Sequence, residues 1–387
     1  MEERTTIDKS RHIHTWGEFC EIIKGNGVQK VDFVDEGYGC IHYGQIYTHY
    51  GPYTYNTNKF VSKEIFDKAK KASKGDIIMT DTSENVEDIC KSVAYLGNDD
   101  IAVSNHALII KHNQNPKFLS YSTQTDSFFN QKRKVVVGVK VSGIKPEQLA
   151  KIKIYLPSLS EQERIVGILD TFTASIDNLK ERIAQRRKQY EYYRNQLLDL
   201  EGKEGVEMKT LGDIGDVCMC KRIMKEQTSE KGEIPFFKIG TFGYHADAYI
   251  SKELFDEYKS KYSYPRKGEI LISASGTIGR SVVFDGGDAY FQDSNIVWIA
   301  NDEKQVSNRY LYYFYQVVEW KTDGGTIKRL YNYNLKSTII PLPSLSEQQR
   351  IVSILDTFEA SIQNLEAQLS QREKQYEYYR NKLLTFE

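Results

Sequence analysis

Two short segments of this chain carry side chains able to hold a charged, hydrogen-bonding ligand. In Ser273-Ala-Ser-Gly-Thr-Ile-Gly-Arg280, which follows a predicted strand, Ser275, Gly276, Thr277 and Gly279 can present backbone amides, and Arg280 a guanidinium, to a phosphate. The segment lacks the Lys-Ser/Thr end of a nucleotide-binding phosphate loop, and an ordinary turn accounts for the same residues. The second segment sets Lys328 and Arg329 beside Tyr331 and Asn332: charge for phosphates, an aromatic ring and an amide for bases. Near the N-terminus, 38–58 interleaves tyrosine, histidine and asparagine with glycine, and includes His42, Tyr43, Gln45 and Tyr50. Such residues can stack on bases or bond their edges, or equally pack a loop onto a sheet. Lys132, Arg133 and Lys134 form a second basic run beside Lys328-Arg329, a kind that is usually just solvated.

No catalytic constellation accompanies these candidates. The sequence has no G-x-G-x-x-G, Walker, H-E-x-x-H or G-x-S-x-G motif, and no Asn/Asp-Pro-Pro-aromatic motif of amino-methyltransferases. Six of the seven histidines fall in the first half without repeated carboxylate or cysteine company. The five cysteines are scattered; Cys218 and Cys220 lack the spacing of a zinc site, so buried or incidental thiols are expected. The expectation is a binding protein with no catalytic residue and no metal.

The elements that must position the candidates are announced by a duplication. Residues 156–201 and 342–387 match at about 33 of 46 positions, offset by about 186 residues. Such a length implies duplicated halves rather than a stack of small repeats. Each copy opens with a proline-bounded strand end, 152–159 and 338–345, then Ser160 or Ser346 beginning a capping-box pattern. From there Ile165, Leu169, Phe172, Ile176, Leu179 and Ile183, and in the second copy Ile351, Leu355, Phe358, Ile362, Leu365 and Leu369, alternate steps of four and three. The seam continues through Arg186, Tyr190, Tyr193 and Leu197, and through Arg372, Tyr376, Tyr379 and Leu383. This is a coiled-coil pattern over about five heptads. Forty helical residues span roughly 60 Å. A parallel pair would leave the intervening domain to bridge that length, so antiparallel pairing within one chain is expected, pairing between molecules being the rival. The arginines on the seam either snorkel or set register. Tyr192 and Tyr378 fall off the seam and are candidates for a docking surface.

Weaker echoes align the two larger segments: 15–19 with 210–214, 61–67 with 250–256, 74–80 with 267–273, and 138–144 with 324–330. Short β-rich runs and one helix per domain, starting near Asn115-Pro116 in the first and covering 307–321 in the second, predict mixed α/β domains of about 140 residues. The expected order is 1–155, a divergent domain; 156–204, a helix; 205–341, a second divergent domain; 342–387, a second helix. The fold class is mixed α/β, with two pseudo-symmetric α+β domains separated by two long helices that form an antiparallel coiled coil.

Bulk charge is permissive rather than directive. The net charge is −1, and because both repeat copies are slightly acidic the remaining segments come to about +2. The charged start MEERTTIDKS does not read as a signal peptide, and no run of about 18 apolar residues occurs, so a cytoplasmic chain without a membrane partner is expected.

The paired Leu-Pro-Ser-Leu-Ser-Glu-Gln-x-Arg-Ile-Val helices, the strand–turn Lys267-Gly-Glu-Ile-Leu-Ile-Ser-Ala-Ser-Gly-Thr277 and the domain–helix–domain–helix order resemble the specificity (S) subunit of type I restriction–modification systems, over essentially the whole chain. The first domain departs from the family's glycine turn with Thr80-Asp-Thr-Ser-Glu-Asn85. The resemblance implies two target recognition domains, each reading one half of a bipartite site in double-stranded DNA. It implies two modification methyltransferase subunits and restriction motor–nuclease subunits as partners. S-adenosylmethionine, ATP and Mg2+ would belong to those partners and none to this chain, which would supply address and scaffold. Rival classes are a coiled-coil adaptor that binds proteins rather than DNA, and a nuclease with a degenerate site.

Overall fold

The computed structural model describes residues 12–136, 142–324 and 328–385. Parts of the fourth echo, at 138–141 and 325–327, and the charged start lie outside them. The chain forms two compact units, one of residues 1–180 with 367–387, the other of residues 181–366. The unit boundaries fall inside the two long helices, Leu159–Leu198 and Leu345–Leu384, rather than at their ends.

In the first unit the strand Ile77–Thr80, apolar through Met79, is buried on both faces and sits at the centre of a five-stranded sheet. The order is Cys20–Lys24, Ala107–His112, Ile77–Thr80, Ser92–Tyr95, Tyr53–Thr54, antiparallel except for the last pair. A second five-stranded sheet orders Phe33–Val34, Lys59–Val61, Tyr38–Ile41, Ile101–Val103 and Lys71–Ala72. The second unit repeats the plan with fewer strands. Val217–Cys218, Ile296–Ile299, Ile270–Ser273 and Ser281–Val283 form one sheet; Tyr249–Ile250, Ile234–Phe237 and Tyr290–Phe291 form the other.

The sequence echoes occupy equivalent places. Thr15 and Thr210 each precede a four-residue helix, Trp16–Phe19 and Leu211–Ile214. Ser62 and Ser251 cap Lys63–Lys68 and Lys252–Lys261, each hydroxyl accepting the amide three residues on. Gly75 and Gly268 take φ of +95° and +92° in the turn before the central strand, a conformation that favours glycine. The prediction of one helix per domain was too sparse. After Pro116–Ser122, capped by Asn115, the first unit adds Asp126–Val135. In the second unit the helix runs only Asn308–Tyr315, ending ahead of the β-branched pair Val317-Val318. The short helix Tyr43–Thr48 interrupts the aromatic-rich stretch 38–58.

Each long helix begins two residues earlier than the capping-box reading placed it. Ser158 and Ser344, not Ser160 and Ser346, accept the amides of Glu161 and Glu347. The two copies then dock on their domains through the same groups. Gln162 and Gln348 are fully buried; Gln162 accepts from the Asn115 amide and donates to Pro157 O, and Gln348 accepts from the Ser307 amide and donates to Pro343 O. Two helical turns further on, Asp170 takes Lys117 and the Tyr121 hydroxyl at 2.7 Å each, while Asp356 takes Arg309 at 2.7 Å and the Tyr313 hydroxyl at 2.6 Å. Gln348 also donates to Gln305 O, so Gln348→Ala strands the Ser307 amide and the carbonyls of Gln305 and Pro343 together, and about 2 kcal/mol or more of stability should be lost, read as a lower denaturant midpoint.

The apolar seam divides its labour. Ile165 and Leu169 pack into the first domain's core with Trp16, Phe118 and Tyr121. Ile351 and Leu355 likewise join the second domain's core with Tyr310 and Leu335. Helix meets helix further along: in the first unit Phe172 stacks on Tyr379 and Lys180 pairs with Glu373, and in the second Arg187 pairs with Glu366 and Tyr193 stacks on Phe358. Rising numbers on one helix meet falling numbers on the other, so the pairing is antiparallel. Ile176, Leu179, Ile183 and Leu365 are buried, whereas Ile362 and Leu369 are only partly so. Arg372 lies over the Phe172 ring and Arg186 over Phe358, both at 5.6 Å, so the seam arginines stack on the opposite helix. Tyr193 and Tyr379 keep about two-fifths of their surface despite their seam positions, and Tyr192 and Tyr378 are more exposed still.

Candidate nucleic-acid interface

The second unit brings together the two segments that the sequence offered separately. The strand Ile270–Ser273 ends in the glycine turn, where Gly276 and Gly279 take φ of +65° and +83°. Ser273 ties the turn: its hydroxyl accepts the Arg280 amide at 2.9 Å and donates to the Thr277 carbonyl. A Cβ on Gly279 would stand 2.4 Å from the Trp320 indole nitrogen, so this ring packs directly over the turn. Ser275 donates to the Asn295 side chain at 2.9 Å rather than facing outward. The Leu330 amide donates to Ala274 O at 2.9 Å and Arg329 Nη2 to Ser294 O at 2.6 Å, which seats 328–332 beside the turn.

The result is a surface of cations and aromatic faces. Arg280 spends one nitrogen on Phe242 O and lies 4.8 Å over the exposed ring of Tyr244; its other donors remain for a ligand. Arg329 lies 5.9 Å from Tyr331, which stacks on Tyr333 at an interplanar angle of 7°. Lys328 and Asn332 are exposed, Asn332 opening the short helix Asn332–Ser337. Asp323 positions this group: it accepts from the Tyr333 hydroxyl and the Asn334 amide, contacts that hold its carboxyl below the usual range, and its backbone bridges Arg329. Guanidinium and ammonium groups flanked by outward tyrosines suit a phosphate backbone with bases or sugars alongside. Tyr244, Trp320, Asp323, Tyr333 and the 293–295 turn escaped the sequence reading. They come from four separate stretches, and only folding makes them neighbours.

In the first unit several predicted contacts prove to be internal. His42 is buried and caps the helix Tyr43–Thr48, its Nδ1 accepting the Gly44 amide at 3.1 Å; burial lowers its pKa. Gln45 closes that cap on the His42 amide, and Tyr50 is tied to Asn58 through its hydroxyl at 3.1 Å. Tyr43 packs on the core beside Tyr50 and meets the edge of His106. Lys132 is the clearest correction: it is buried, with its ammonium donating to Glu87 O and Ile89 O at 2.8 and 2.6 Å, and desolvation lowers its pKa. Arg133 and Lys134 are exposed on the last turn of Asp126–Val135, where cations suit the helix dipole.

All five cysteines are free thiols, and burial pushes Cys20, Cys40, Cys90 and Cys220 up to about 12. Among the described residues no cluster of three or more His, Cys, Asp or Glu is placed to hold a metal ion, and no helix is long and apolar enough to cross a membrane.

Comparison with known proteins agrees with this architecture. The family model described as type I restriction modification DNA specificity domain matches twice, over residues 13–186 and 203–373. A putative type I restriction enzyme specificity subunit of Haemophilus influenzae is 49% identical over 73% of this chain and 76% of its own length. The specificity subunit of a type I restriction enzyme of Escherichia coli is 33% identical over 59% of this chain and 60% of that relative. Among solved structures, the S subunit of a type I restriction–modification system from M. genitalium superposes with a TM-score of 0.58 at 16% identity, covering 96% of both chains. A chain from a structure on complex assembly and conformational transition of the type I system gives 0.63 at 18% identity, again over 96% of both. With two matching domains, a close relative over most of its length and the same fold, this chain belongs to the family of type I restriction–modification DNA specificity subunits.

Proposed function

We propose that this chain supplies sequence selection to a DNA-modifying and restricting assembly, each of its two divergent domains reading one half of a bipartite site. The observation that carries the reading is the pairing of repeated docking bonds with divergent faces inside one chain. Gln162 and Gln348, and Asp170 and Asp356, fix both domains to their helices by matching bonds. The outer turns that follow the central strands, 81–91 and 274–280, share neither length nor composition. Equivalent mounts with different faces suit two readers of different sequences. The exposed pairs Tyr192/Tyr193 and Tyr378/Tyr379 repeat on the two helices and fit two copies of one protein partner, a modification methyltransferase. Such partners would bring S-adenosylmethionine, and the restriction motor–nuclease would bring ATP and Mg2+. The assembly would work in the cytoplasm, where its DNA lies.

The test uses this chain assembled with its methyltransferase. Neutralising Arg280, Lys328 or Arg329 should weaken cognate and scrambled duplexes alike and lower the salt slope by about one per contact. Asn332→Ala should instead cost about 1–3 kcal/mol on the cognate duplex alone. An assembly with no sequence-selective binding at any salt would favour the protein-binding adaptor.

A further inference from the structure

The two units share a framework that transfers the location of the interface from the second domain to the first. Thr80 pairs with Ala107 as Ser273 pairs with Ile296. One residue on, the Asp81 amide donates to His106 O at 3.1 Å, as the Ala274 amide donates to Asn295 O at 2.7 Å. The Asp81 carbonyl accepts from the Ile144 amide at 2.9 Å, as the Ala274 carbonyl accepts from Leu330 at 2.9 Å. Asp81 therefore holds the place of Ala274, and His106 that of Asn295, at the foot of the face where the second domain gathers Arg280, Lys328 and Arg329.

What occupies that place in the first domain is chemically different. Asp81 has 3% of its surface exposed. Its Oδ2 pairs with Lys24 Nζ at 3.0 Å, and Lys24 is itself well exposed at the end of the strand Cys20–Lys24. Its Oδ1 is buried with no hydrogen-bond partner among the described residues. The Nδ1 of His106 stands 3.9 Å away, beyond hydrogen-bond range. A buried carboxylate oxygen without a donor is costly, and native structures complete such an atom with a protein group, an ordered water, an ion or a ligand. His106 is half exposed and sits at φ +62°, an arrangement uncommon for a non-glycine residue and found at turns and binding sites.

We propose that Asp81 and His106 are specificity-determining residues of the first reader, with Asp81 Oδ1 accepting a hydrogen bond from the exocyclic amine of an adenine or cytosine. The exposed imidazole swings aside to admit the base edge, a rotamer change that is fast for a surface side chain. Lys24 stays paired with Oδ2 and faces the adjoining phosphate. A carboxylate accepts from an amino group and repels the keto oxygen of guanine or thymine, so one position of one half-site is restricted to amino bases. This rests on the reading of the two domains as DNA readers.

The test is the methylated motif of the full assembly carrying Asp81→Asn, read base by base. An amide both donates and accepts, so the variant should accept a keto base at one position of one half-site, with discrimination there falling about ten-fold or more and the other half-site unchanged. His106→Asn, which tolerates the left-handed backbone, provides the second variant should Asp81→Asn fold poorly. It should alter preference at the same position or its neighbour. Both variants retaining the wild-type preference at every position would overturn the proposal while leaving DNA reading intact. A wild-type assembly that methylates without sequence preference would instead remove the reading beneath it.

Discussion

Leu355→Asp should abolish the fold of the second unit. Leu355 is 0% exposed and sits in one core with Tyr310, Leu311, Leu335 and Ile351, where the helix Leu345–Leu384 meets its domain. The substitution removes apolar packing and places a carboxylate among side chains that offer it no donor. Together these effects cost about 4–5 kcal/mol or more, a large part of the 5–15 kcal/mol that separates a folded domain from its unfolded chain. Leu355→Met keeps the volume and should cost under about 1.5 kcal/mol. Circular dichroism through a denaturant titration distinguishes them. An aspartate variant with an unshifted midpoint would show that this helix does not complete the core.

Gly279→Val should act on binding rather than on the scaffold. A β-branched residue at φ +83° is strained, and its Cβ meets Trp320 at 2.4 Å, so either the indole leaves the turn or the turn opens. In both cases Arg280 and the 328–332 segment lose their common seat, and selective binding should fall about a hundred-fold, as expected when two or three contacts go together. The unfolding midpoint should shift far less, because the turn lies at the edge of the sheet. Retained selectivity would mean the turn is not part of the interface.

The helices were legible because their information is periodic and repeated. Steps of four and three need no tertiary knowledge, and the duplication fixed which residues correspond. Even so, periodicity alone could not say which partner each apolar residue meets. Ile165, Leu169, Ile351 and Leu355 carry the seam pattern yet pack on the domains, because a domain offers the same apolar surface as a helix. The sites were legible only in part. The glycine turn and the 328–332 segment were visible as types, but their adjacency depends on a backbone bond across more than fifty residues, from Leu330 to Ala274. His42 and Lys132 misled for the opposite reason. A histidine or lysine in a polar stretch reads as surface, whereas here one caps a helix and the other satisfies two buried carbonyls. Asp81 and His106 carry no motif; only the register of two sheets identifies them.

The most direct test of two independent readers on equivalent mounts is an exchange of one reader. Residues 205–341 should be replaced by the corresponding domain of a relative with a different target, keeping both helices. The methylated sites are then mapped by single-molecule sequencing in cells carrying the native or exchanged chain. The account predicts that one half of the bipartite motif changes to the relative's while the other half stays as it was. A change in both halves together, or in neither, would contradict it.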